Sequence, residues 1–172
     1  MTISHGARAE RLQLFINRAL AIELALTQIL EARVDATEET ASKADLNAFL
    51  ESARARTRAL EQALPIVGGV QDERESLFAG IGANLKAVLD LVRDPALKDL
   101  QDSEDDFATL QGLLGAYIVL ESASRQAALP DLVAVTTSHR GQVELAAAWM
   151  WHRIQRLARE AIAGVGEGAA QS

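Results

Sequence analysis

The three prolines of this chain, Pro65, Pro95 and Pro130, stand where helical periodicity stops, and little else interrupts it. A proline inside a helix costs about 3 kcal/mol, because it lacks the amide proton and clashes with the preceding turn. Between the prolines, apolar residues recur at helical spacing, and no run alternates β-branched residues at period two. The pattern predicts five helical segments, about 7–34, 43–64, 73–93, 105–128 and 131–163. Ser42-Lys43-Ala44-Asp45 and Asp72-Glu73-Arg74-Glu75 have capping-box spacing, and Ser103-Glu104-Asp105-Asp106 places acids where a helix N-terminus favours them. Each segment is about 20 residues or longer, hence about 30 Å at 1.5 Å per residue. Long amphipathic helices with short connections make a bundle. The expectation is one all-α domain over 7–163, followed by a flexible glycine-rich tail over 164–172.

Composition removes several classes of function. With 172 residues the chain suits a single domain that needs no covalent staple. It has no cysteine, which excludes disulfides, thiolate metal sites and cysteine nucleophiles. A net charge of -7 argues against nucleic acid as a partner, since that binding runs on surplus Lys and Arg. No apolar run approaches the ~20 residues of a membrane span, so no membrane partner is expected. The stretch Met1 to Phe15 lacks the apolar core of a secretory signal, and a cytoplasmic location is expected.

In a bundle, chemistry resides in polar residues on core-facing stripes. At 100° per residue the first helix presents Leu12, Phe15, Ile16, Ala19, Ile22, Leu26 and Leu30, with Glu23 inside the stripe. The second presents Leu46, Phe49, Leu50, Ala53, Thr57, Leu60 and Leu64, with Arg56 at its edge. The fourth segment presents Phe107, Leu110, Leu114, Tyr117 and Ile118 around Glu121. The last presents Leu132, Val135, Val143, Ala146, Met150 and Leu157, with His139 among them. The inward polar set is therefore Glu23, Glu121 and His139, with Arg56 reaching in from a border. Two inward carboxylates need protons, a cation or a metal. A metal site is one reading; a Glu–Arg pair, or glutamates that meet water at helix ends, is the other.

Leu14-Phe15 through Ala21-Ile22-Glu23-Leu24-Ala25-Leu26, then Arg58-Ala59-Leu60-Glu61-Gln62, then Arg93-Asp94-Pro95-Ala96-Leu97-Lys98-Asp99 and Glu121-Ser122-Ala123-Ser124 resemble, in that order, ferritin-like stress proteins of the YciE/YciF type. The resemblance runs over about residues 10–160. It implies a ferritin-like four-helix bundle with one additional helix between the second and third bundle helices. Such families build a two-metal centre from one Glu on each of two helices and Glu-x-x-His on each of the others. By that resemblance Glu23 and Glu121 keep the single-Glu places. The Glu-x-x-His places fall on Ala53 and Arg56 in the second helix, and near His139 and Gln142 in the last.

Two hard ions need more carboxylates and histidines than this. Arg56, always charged and forked, can instead supply positive charge to the inward acids. The expectation is a metal-free buried network of Glu23, Arg56, Glu121 and His139, with no cofactor and no catalytic residue. The alternative is iron or manganese held by Glu23, Glu121 and His139, with oxygen or peroxide chemistry.

Other motifs are poorer. Ser4-His5 and Ser138-His139 are neighbours in sequence and not a triad, and no nucleophile elbow is present. Gly80-Ile81-Gly82-Ala83-Asn84 lacks the Lys-Ser/Thr of a phosphate loop. The acidic run Asp99–Asp106 reads as a solvated connector. In the last helix Trp151, Arg156 and Arg159 have the composition of a protein interface, which points to a homodimer or another protein partner. The function expected is a non-catalytic or metal-deficient stress-related protein acting through helix faces.

Overall fold

The computed structural model of the chain describes residues 5–68 and 97–169. Among them, four helices account for nearly the whole backbone: α1 (His5–Ala36), α2 (Thr40–Ala63), α3 (Lys98–Gln126) and α4 (Pro130–Ala169). No strand occurs among the described residues. The chain is an all-α helical bundle. The helix expected over 73–93 lies outside the described residues, as do the capping sequence at Asp72 and the glycines from Gly80.

Three boundaries differ from the sequence expectation. The second helix starts at Thr40, with Glu39 at the N-cap, so Ser42 is not its cap. Ser42 is buried in the first turn and its hydroxyl donates to the Glu39 carboxylate at 2.6 Å. The third described helix starts at Lys98, so most of the expected acidic connector is helical, with Asp99 in the first turn where the helix dipole favours an acid. At the far end, α4 continues through Gly164 to Ala169 instead of stopping at 163. Extending a long helix needs no new nucleus, which offsets the poor helix propensity of those glycines.

The helices form two antiparallel hairpins. Residues 37–39 join α1 to α2, and Thr37 closes the end of α1 by an amide bond to the Arg33 carbonyl at 3.0 Å. Between α3 and α4, Ala128 adopts the left-handed conformation at φ 55°. Its amide bonds the Arg125 carbonyl, and the Leu129 amide bonds the Ser124 carbonyl, both at 3.1 Å. This is a Schellman turn, which satisfies the terminal carbonyls of α3 before Pro130 opens α4. After α2, Pro65–Val67 form a 3₁₀ turn that ends on Gly68, also left-handed at φ 73°.

Hydrogen bonds between hairpins give the helix directions. Arg33, late in α1, meets Asp102, early in α3, while Glu23 meets Tyr117. Ser42, early in α2, meets Arg153, late in α4. Thus α1 opposes α3, α2 opposes α4, and the order is up, down, down, up. It follows that α2 ends at the opposite end of the bundle from where α3 begins.

The core is the stripe set expected, with additions. Leu20, Leu113 and Leu120 are fully buried alongside Ile16, Leu26, Leu60 and Val143. Ile118, expected inside, is 54% exposed, because the core face of α3 is carried by Leu113, Ala116, Tyr117 and Leu120. Buried Ser124 and Thr136 hydroxyls donate to carbonyls one turn back, at 2.7 and 2.8 Å, so neither is left unsatisfied.

Candidate functional site

The middle of the bundle holds a charged pair in place of an apolar layer. Glu23 projects from α1 and is wholly buried; Arg56 projects from α2 and is 2% exposed. Arg56 Nε donates to Glu23 Oε1 at 2.6 Å and Nη2 donates to Oε2 at 3.0 Å, a bidentate fork. From α3 the Tyr117 hydroxyl adds a third bond to Glu23 Oε1 at 2.6 Å. Three donors on two oxygens are the bonding pattern of an ionised carboxylate. Burial pushes the Glu23 carboxyl above its usual range, and Arg56 and Tyr117 pull against that rise. Burial, together with the Glu23 charge, pushes the Tyr117 phenol up, so the hydroxyl keeps its proton and remains a donor.

His139 completes the layer from α4. It lies edge-on to the Tyr117 ring, with centroids 5.5 Å apart, and its Nδ1 has no hydrogen-bond partner among the described residues. Burial, reinforced by the Arg56 charge, lowers its pKa to about 4. At neutral pH it is an uncharged ring packed beside a salt bridge.

Glu121 does not join this network. Its Oε1 accepts from Arg125 Nη2 at 2.6 Å, and its Oε2 accepts from Arg140 Nε at 3.0 Å. The Arg125 guanidinium, with Arg140, holds its carboxyl below the usual range. Tyr117, one turn earlier on α3, takes the central place the sequence reading gave to Glu121. The reason is local: Arg125 four residues on and Arg140 on α4, both more open to solvent, supply cations to the buried Glu121 carboxylate away from the central pair.

A second charged cluster closes one end of the bundle. Arg33 Nη1 donates to Asp102 Oδ2 at 2.6 Å, and Nε and Nη2 donate to the two oxygens of Asp106 at 3.0 and 3.2 Å. Both aspartates are buried, which corrects the reading of Asp99–Asp106 as a solvated connector. Burial works against the Arg33 charge, but the carboxylates, Asp106 ahead of Asp102, outweigh it and raise its pKa. The four-residue spacing of Asp102 and Asp106 was the available signal, since it puts both on one helix face.

These residues do not fit a metal centre. Both oxygens of Glu23 are occupied by donors, and a cation placed there would meet the Arg56 guanidinium. Both oxygens of Glu121 likewise accept from arginines, Arg125 and Arg140. Among the described residues, no group of three or more His, Cys, Asp or Glu side chains could hold a metal ion.

The residues suggested as an interface separate onto two flanks of α4. Trp151, 51% exposed, packs toward α3 with its ring 5.9 Å from Phe107. Arg156 leans toward α2, with Nη2 4.0 Å from Glu39, and Arg159 lines the same cleft. On α3, Phe107 and Leu114 are half-buried against the core, and Ile118 is exposed.

No family model matches the chain, and no curated protein matches it. Its backbone is similar to the crystal structure of a protein from Xanthomonas campestris pv. campestris str. ATCC 33913. The TM-score is 0.73 at 15% identity, covering 92% of this chain and 99% of the other. At that identity the likeness shows the fold alone. Among the described residues no helix is long and apolar enough to cross a membrane.

Proposed function

We propose that this chain is a cytoplasmic, non-catalytic, metal-independent member of the ferritin-like stress proteins, working as a homodimeric scaffold through its helix faces. The observation that carries the reading is the Arg56 fork on Glu23 in the centre of the bundle. In a ferritin-like centre that space belongs to cations that neutralise carboxylates; here a side chain does so permanently. The up, down, down, up order, with α2 ending far from the start of α3, supports the ferritin-like placement, because that arrangement needs one long crossover. Trp151, 51% exposed, supports the interaction part, since tryptophan is enriched among the anchors of protein interfaces.

Elemental analysis of protein purified without chelator, from cells supplied with iron and manganese, tests the reading. It expects far less than one ion per chain. Stoichiometric iron or manganese overturns it.

A further inference from the structure

Six arginines among the described residues are buried or partly covered: Arg33, Arg54, Arg56, Arg140, Arg153 and Arg156. Five face a carboxylate: Arg33 on Asp102 and Asp106, Arg54 on Glu31, Arg56 on Glu23, Arg140 on Glu121 and Arg156 on Glu160. Arg153 does not, among the described residues. Its Nε donates to Ser103 Oγ and its Nη1 to Ser42 Oγ, both at 3.2 Å, and its guanidinium lies 5.6 Å over the Trp149 ring. The chain has 24 acids against 17 bases, so this cation is not short of available partners.

The two serines hold the guanidinium as a preformed fork. Ser42 spends its proton on Glu39 at 2.6 Å, and Ser103 spends its own on the Asp99 carbonyl at 2.7 Å. Each hydroxyl therefore turns a lone pair toward Arg153, fixing it without neutralising it. Neutral acceptors and an aromatic face position a guanidinium and leave its charge available.

Two clefts meet at Arg153, and their charges decide between them. The cleft toward α1 and α3, about 350 Å³, sets Asp99, Asp102, Asp106, Glu38 and Glu39 against Arg33, Lys98 and Arg153, which repels an anion. The cleft between the start of α2 and the end of α4, about 450 Å³, adds Arg156, Arg159 and His152 to Arg153. Three arginines there face two carboxylates, Glu39 and Asp45. Arg156 lies between Glu39 and Glu160, and Asp45 accepts the Trp149 indole N–H at 3.0 Å, which leaves Arg153 and Arg159 without an ion pair among the described residues. The volume is that of a small-molecule site.

We propose that the α2–α4 cleft binds a small oxyanion, the phosphate or carboxylate group of a small molecule, with Arg153 as the fork and Arg159 as the flanking charge. The proposal is independent of whether Glu23 is metal-free.

Trp149 beneath the guanidinium supplies the readout. In a Trp151→Phe background its emission is followed at constant ionic strength while inorganic phosphate or succinate is added at millimolar concentration. A saturable change is expected, and the tighter anion names the source, a phosphate ester or a carboxylate. Arg153→Gln is expected to weaken binding about tenfold, as loss of a charge-assisted pair does. Arg159→Gln, at an exposed position that makes no ion pair among the described residues, is expected to weaken it about threefold with an unchanged melting temperature. It keeps the test valid should Arg153→Gln fail to fold. No saturable change with either anion, or affinities unmoved by the substitutions that fold, overturns the proposal.

Discussion

The Arg56 guanidinium grips both carboxylate oxygens of Glu23, at 2.6 and 3.0 Å, between two helices and out of reach of solvent. Removing one partner leaves the other as an unpaired buried charge, whereas removing both restores an apolar layer. Arg56→Met and Glu23→Leu are each expected to lower unfolding free energy by about 3–5 kcal/mol. The double variant is expected to lose less than either single variant. Urea unfolding of the four proteins gives the comparison, and additive losses would contradict the pairing.

The neutral His139 predicts acid sensitivity of a definite sign. Its pKa is about 4 in the folded chain against 6.5 for the free side chain, so between those values the unfolded state binds the extra proton. Stability from this residue is full above the higher value and falls as pH drops toward the lower one, levelling off after a loss on the order of 3 kcal/mol. His139→Gln should remove that part of the slope. Urea midpoints of both proteins across this range measure the difference, and parallel curves would exclude a depressed His139.

Ala128 occupies a position that suits glycine. At φ 55° its Cβ crowds the following carbonyl, yet the Schellman bonds of the α3–α4 turn require that conformation. Ala128→Gly is expected to raise stability by about 0.5–1 kcal/mol, the relieved strain exceeding the added freedom of the unfolded chain. A thermal melt suffices; a lowered midpoint would show that the turn is not strained.

The flank of α3 and α4 carries the dimer prediction. Ile118→Glu and Trp151→Glu place charge on exposed apolar positions, at 54% and 51% accessibility, without opening the core. Light scattering is expected to give a dimer for the parent chain and a monomer for the pair of substitutions, with little change in melting temperature. A parent chain that is already monomeric removes the dimer.

Much of this was legible in the sequence because helix periodicity fixes which face is buried. Periodicity puts Glu23 and His139 on inward stripes and Arg56 at a stripe's edge, and the structure buries all three around Tyr117. Glu121, in the middle of its stripe, is buried but bonds Arg125 on its own helix and Arg140 on α4, a choice of partner that periodicity does not decide. Tyr117 was counted as an apolar stripe residue; its hydroxyl became the third donor to Glu23, a contact fixed by how α3 registers against α1. Asp102 and Asp106 were missed because a run of acids reads as solvated until the helix that carries Arg33 is known to end beside it. Arg153 left no such trace, since its lack of a carboxylate depends on the α2–α4 seam.

The central claim is that Arg56 does the neutralising that a metal would do, and metal-linked stability tests it directly. A ligand that binds the folded state stabilises it by about 2.7 kcal/mol at a hundredfold excess over its dissociation constant. Unfolding midpoints of the parent chain, measured in chelator and in excess Fe(II) or Mn(II), are predicted to coincide. A midpoint raised by either ion, and returned to the chelator value in Glu23→Gln, would contradict the account.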